Sequence, residues 1–138
     1  MPPKIKILIV DDAMFMRNRI KQILLQGGYD DIIESANGKE AIESYKKHRP
    51  DLVTMDIIMP DMNGIAALVR IKAFDPQAKV VVITAMGQRR IVVDAIKAGA
   101  MDFVTKPFKK EKVLETIHQV LTEPEAWQKA DLTVDDWT

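Results

Sequence analysis

The chain has 138 residues, 47% of them hydrophobic and 29% charged, with 20 acidic side chains balanced by 20 basic ones. That is the size and make-up of one globular domain, and the even charge gives no electrostatic argument for nucleic acid or an anionic membrane as partner. The absence of cysteine excludes disulfides and thiolate metal sites, and the apolar stretch near the start is too short for a bilayer span, so a cytoplasmic protein is expected.

Short β-branched runs alternate with stretches of helical period along the chain. Residues 5–10 read as a first strand, followed by a helix over 15–25 that places Met16, Ile20, Ile23 and Leu24 on one stripe. A second strand at 31–35 precedes a helix over 39–47 with Ala41, Ile42 and Tyr45 on its apolar side. Strand 52–55, helix 64–74, strand 79–84, helix 88–98, strand 102–105 and helix 110–121 complete the pattern, the last helix turning Val113, Ile117, Val120 and Leu121 inward. The run VVVIT is apolar at nearly every position, which suits a parallel sheet covered on both faces. With right-handed crossovers the expectation is a three-layer, doubly wound α/β domain of five βα units over residues 1–121. Residues 122–138 depart from this: Pro124 interrupts the helical pattern, and five acids stand against one lysine. They read as an acidic extension, whose Trp127 and Trp137 could pack on the domain or engage a partner. His48 and His118 lie far apart, outside any zinc-type spacing, and read as surface residues near helix ends.

In doubly wound sheets ligands bind beyond the carboxyl ends of the strands. Asp11 and Asp12 follow the first strand, Asp56 the third, Thr84 ends the fourth and Lys106 follows the fifth. Three converging carboxylates repel one another and call for a cation. Magnesium, with its taste for hard oxygen ligands and retained waters, is the natural one. Asp12 and Asp56 would ligate it directly, the backbone carbonyl of Ile58 would add an oxygen, and Asp11 would act through a water; N-capping of the first helix is the competing role for Asp12. Thr84 and Lys106 can then hold phosphoryl oxygens, which makes Asp56 a candidate nucleophile in phosphoryl transfer.

The segments LIVDDAMFMR, DLVTMDIIMPDMNGI, VVVITAMGQ and GAMDFVTKPF resemble the four signature blocks of bacterial two-component receiver domains. The resemblance implies a flavodoxin-like fold with strand order 2-1-3-4-5, an acidic pair at Asp11 and Asp12, a phospho-acceptor at Asp56, a switch hydroxyl at Thr84 and the family's lysine at Lys106. It also implies a histidine kinase as phosphodonor, Mg2+ as cofactor, a cis bond between Lys106 and Pro107, and a small Ala85 that leaves the phosphate reachable or simply packs well. Phe103 stands where the family has its aromatic switch, with core packing as the competing role. Apolar Ile58 and Met86 flank the path of the attacking water and imply slow self-dephosphorylation. The fourth helix, fifth strand and fifth helix would form the output face, carrying Arg89, Arg90, Lys97, Lys109, Lys110 and Lys112 as a basic patch for an acidic partner segment. The stretches TAMGQ and AIKAGAMDFVTKPF are most similar to stand-alone chemotaxis regulators of the CheY type. That similarity implies a monomeric signalling switch, a flagellar motor switch protein as target and a phosphatase among its partners. Phosphate sinks and relay receivers share the same residues. A magnesium-dependent aspartyl phosphatase would carry its nucleophile in a DxD motif on the first strand, where this chain has DDA, and the first loop lacks the glycines of a nucleotide site.

Overall fold

Neighbouring residues of a strand point to opposite faces, so a strand that is apolar at every position needs cover on both sides. The computed structural model describes residues 4–85 and 87–122 and shows how that cover is supplied. Strands β1 (Lys6–Val10), β2 (Asp31–Ser35), β3 (Leu52–Met55), β4 (Val80–Thr84) and β5 (Asp102–Thr105) alternate with helices α1 (Met14–Gln26), α2 (Gly38–His48), α3 (Gly64–Phe74), α4 (Arg89–Lys97) and α5 (Lys110–Thr122). The sheet runs β2-β1-β3-β4-β5 with every neighbouring pair parallel, the order expected.

The two cores divide by strand parity. Leu8, Val10, Val53, Met55, Val80 and Val82 meet Tyr45 of α2, Leu68 and Ile71 of α3, and Val92 of α4. Their neighbours Ile7, Ile9, Leu52, Val81 and Ile83 meet Ile20 and Leu24 of α1 and Val113 and Ile117 of α5. Three helices therefore cover one face and two the other. Observed elements match those read from the sequence to within a residue or so at each end; Gln88, for example, is the N-cap of α4 and not its first residue.

The N-terminus of α2 is tied to the loop that follows β3. Asn37 accepts the Glu40 N–H (2.9 Å), and the carboxylate of Asp61 accepts those of Gly38 and Lys39 (3.1 Å each). Three orphan donors of the first turn are thereby satisfied, two of them by a residue from the β3–α3 loop. No described helix is long and apolar enough to cross a membrane.

Among the described residues one buried side-chain polar atom lacks a hydrogen-bond partner. Thr54 is 1% exposed, lies in register between Ile9 and Val81, and its Oγ1 has no hydrogen bond. A buried hydroxyl without a partner costs about 1–3 kcal/mol. Thr54→Val keeps the shape and removes the hydroxyl, and is expected to raise unfolding stability by about 1 kcal/mol in urea titration; an unchanged or lower midpoint contradicts this.

Candidate functional site

Parallel registration brings the strand ends together. Val10 of β1 lies beside Met55 of β3, and Thr84 of β4 beside Thr105 of β5. The residues one step beyond are therefore neighbours as well. Backbone bonds carry the ladder past the strands: Asp56 N–H to the Val10 carbonyl (3.0 Å), Lys106 N–H to that of Thr84 (2.8 Å), and Asp11 N–H to that of Ser35 (3.2 Å).

Carboxylate oxygens of Asp11, Asp12 and Asp56 lie within 4.8 Å of one another. Asp11 and Asp56 are buried (1% and 6% exposed), whereas Asp12 is exposed. Lys106 Nζ donates to Asp11 Oδ2 at 2.7 Å and to Asp56 Oδ2 at 3.3 Å. Burial by itself would lower the pKa of this ammonium. The hydrogen bond it donates to Asp11 and the charges of Asp56 and Asp11 outweigh that and hold it above the ordinary lysine value. The peptide bond from Lys106 to Pro107 is cis.

The three acids are not equivalent. Asp11 spends its second oxygen on the Ala13 N–H (2.9 Å), so both of its oxygens are taken. Asp56 Oδ1 accepts a long contact from the Ile58 N–H, at 3.4 Å. Asp12 does not cap α1: Ala13 holds the N-cap position, and no side chain bonds to the helix there. The oxygens open to a ligand are those of Asp12 and Asp56. An octahedral cation with oxygen ligands at about 2.1 Å spans about 4.2 Å between opposite ligands, close to the spread of these carboxylates, and all the donors are hard oxygens. The residues fit magnesium.

The loop after Asp56 is anchored on both sides of Ile58, which is 53% exposed between the buried side chains of Ile57 (2%) and Met59 (8%). It closes on Gly64, whose N–H donates to the Ile57 carbonyl at 2.8 Å. A Cβ on Gly64 would run into the carbonyl oxygen of Asp56 and lie 2.7 Å from the Ile57 Cα. These are backbone atoms of the segment that carries Asp56 and cannot swing aside.

Thr84 is fully buried at the end of β4, with Ala85 exposed beyond it. Met86 lies outside the described residues, as do Trp127 and Trp137. Phe103 is 8% exposed, packs in the core beneath α2, α3 and α4, and forms one wall of a groove of about 490 Å³ with Val92, Pro107 and Phe108. A larger groove, about 710 Å³, runs between α1 and the start of α5 past Phe15, Arg19, Phe108 and Lys110. His48 is half-buried at the end of α2 and His118 is exposed on α5.

The six basic residues expected on the output face lie in different surroundings. Arg89, Arg90, Lys97, Lys109, Lys110 and Lys112 are all exposed. Lys110, however, turns toward α1, where its Nζ donates to Gln26 Oε1 (3.2 Å), and it lines the larger groove. In the groove beside Phe103, Lys109 and Lys112 stand with Glu111 and Glu115. Successive helix positions point in directions about 100° apart, so adjacent lysines do not share a face. The groove beside Phe103 is therefore of mixed charge. Three residues that shape the site escaped the sequence reading: Gly64, Asp61 and Arg17, whose guanidinium donates to the Asp11 carbonyl at 2.8 Å. Of these only Gly64 left a signal, a glycine opening a helix a few residues after a candidate nucleophile.

Residues 7–118 match the response regulator receiver domain family. The chain is a response regulator receiver domain. This receiver is 55% identical over 116 residues to the chemotaxis protein CheY of Bacillus subtilis, covering 84% of this chain and 97% of that one. To the chemotaxis protein CheY of Thermotoga maritima it is 52% identical over 115 residues, covering 83% and 96%. Among solved structures it is similar to CheY in the CheX-CheY-BeF3-Mg+2 complex from Borrelia burgdorferi, with a TM-score of 0.83 and 39% identity over 86% of this chain and 90% of that one. It is thus a CheY-like receiver domain of two-component signalling.

Two outcomes follow from the geometry of the receiver's acidic edge. Gly64→Ala is expected to lose about 2 kcal/mol or more of stability, through a clash that backbone atoms cannot relieve, and to weaken cation binding at the acids; wild-type values on both counts contradict it. Because the pKa of Lys106 is raised in the folded protein, its contribution to stability is complete below the unfolded lysine pKa and is lost as pH rises through the folded value. Urea unfolding between pH 8 and about pH 11 should therefore show a steeper alkaline loss in the wild type than in Lys106→Met.

Proposed function

We propose that this receiver is a chemotaxis switch that takes a phosphoryl group from a histidine kinase onto Asp56 and, so modified, changes its affinity for a protein target. The observation that carries the reading is the single ammonium of Lys106 set between two buried carboxylates, one of which keeps an oxygen facing two further acid oxygens.

In the reaction an Asp56 oxygen attacks phosphorus, the P–N bond to the donor imidazole breaks, and its electron pair returns to the ring nitrogen. Asp12, Asp56 and the carbonyl of Ile58 would hold magnesium, with Asp11 acting through a water, and the cation supplies neutralisation of charge on the transferring oxygens. Lys106 and Thr84 hold the phosphoryl oxygens that remain. Lys106 must first give up part of its hold on Asp56, and it keeps Asp11 as an anchor 2.7 Å away. Ala85, lacking bulk, leaves the phosphate open to solvent. Ile58 and Met86, both apolar, offer the attacking water no hydrogen bond, which makes for a slow reset. Thr84 moving toward the phosphate frees space for Phe103, a ring that can switch by shape alone since it has no hydroxyl.

The target proposed is a flagellar motor switch protein, engaged through α4, β5 and α5; similarity to two chemotaxis proteins CheY supports it. A CheX-type protein, named in complex with the Borrelia CheY, is a second partner class. The switch works in the cytoplasm as a monomer, and its only catalysis is on its own phosphorylation and dephosphorylation. The domain proper is 1–121, with 122–138 as an acidic appendage.

Incubation with acetyl phosphate and magnesium is expected to add the mass of one phosphoryl group to the intact protein, and Asp56→Asn to abolish the addition. No gain of mass, or an equal gain in the variant, sinks the assignment. Affinity for a motor switch fragment should rise with beryllofluoride; equal affinity with and without it would favour a phosphate sink.

A further inference from the structure

We propose that Arg17, braced by Glu34 of β2, orients the Asp11–Asp12 turn and thereby sets both the affinity of the acidic site for magnesium and its preference for that ion over calcium. The inference rests on the cation role proposed above for these acids.

Asp11 is held at every polar atom. Its N–H donates to the Ser35 carbonyl at 3.2 Å, and its own carbonyl accepts from Arg17 Nη1 at 2.8 Å. The Nε of the same guanidinium donates to Glu34 Oε1 at 3.1 Å. Glu34 and Ser35 are consecutive residues of β2, in register with Ile9 and Val10 of β1. Both backbone groups of Asp11 are therefore tied to one short stretch of the neighbouring strand, one directly and one through Arg17. The carbonyl that Arg17 holds belongs to the peptide joining Asp11 to Asp12. Its direction fixes where the Cα of Asp12 stands, and Asp12 has no other restraint on its side chain among the described residues.

Electrostatics alone would not put an arginine here. Arg17 sits in the first turn of α1, where the helix dipole disfavours a cation, and it lies beside acids proposed to gather one. Its side chain is only 13% exposed, so solvent screens it poorly. What an arginine offers at this spot is a rigid fork that reaches a carbonyl and a carboxylate at once, which an ammonium on a flexible stem cannot reproduce. Lys21, one turn further on, also pairs with Glu34 at 3.7 Å, but it is 42% exposed and contributes little.

The two roles Arg17 could play have opposite signs. If it acted only through charge, removing it would tighten cation binding by relieving repulsion. If it positions the turn, removing it weakens binding, and weakens magnesium more than calcium, because magnesium demands near-octahedral geometry and calcium tolerates irregular shells.

Calorimetric titration of the full-length protein with Mg2+ and with Ca2+ separates them. Arg17→Met is expected to raise the magnesium Kd about tenfold, the lower end of the effect of losing a group that orients a ligand, with a smaller rise for calcium. Arg17→Lys should fall between it and the wild type. Glu34→Gln should move in the same direction and add little to Arg17→Met, while Lys21→Met leaves both constants in place. An Arg17→Met protein that binds magnesium as well as the wild type or better, or that loses both ions equally, overturns the proposal, whatever happens to its Tm. Should Arg17→Met fail to fold, Arg17→Lys and Glu34→Gln still decide the point, and wild-type constants in both would overturn it. A wild type that binds no magnesium overturns this inference and the cation role together.

Discussion

Everything at the carboxyl edge of the sheet turns on bringing like charges together and then living with them. Two unit charges 4.8 Å apart repel by a few kcal/mol at an effective dielectric of about 20, and two of the three acids here are buried. One ammonium, within 3.3 Å of both buried carboxylates, offsets part of that repulsion. Asp12, left out of the lysine's reach, is the part of the charge that remains for a ligand.

The fold was readable because its signals are local. A strand apolar at every position announces a covered parallel sheet, and VVVIT is one; helices with stripes such as Ile20, Ile23 and Leu24 announce their inner faces. Once strand ends are known, the rule that ligands bind beyond them converts sequence positions into neighbours, which is how Asp11, Asp56 and Lys106 could be brought to one place before any coordinates. In the folded chain they meet in direct contact through the Lys106 ammonium.

What escaped depends on side-chain direction or on pairs distant along the chain. Arg17 and Glu34 are 17 positions apart and meet only because β1 and β2 are in register. Asp61 reaches the first turn of α2 across 23 residues. Lys110 looked like part of one basic face with its neighbours Lys109 and Lys112, and charge counting along the sequence has no means of seeing that it turns to α1. The N-cap role weighed for Asp12 failed because the helix starts one residue later than such a cap requires.

Phe108 belongs to the walls of both surface grooves, and the Arg19 guanidinium lies 5.5 Å from the centre of its ring. One aromatic ring is therefore shared by two surface grooves on either side of it. A substitution at this single ring would therefore reshape the walls of both depressions at once.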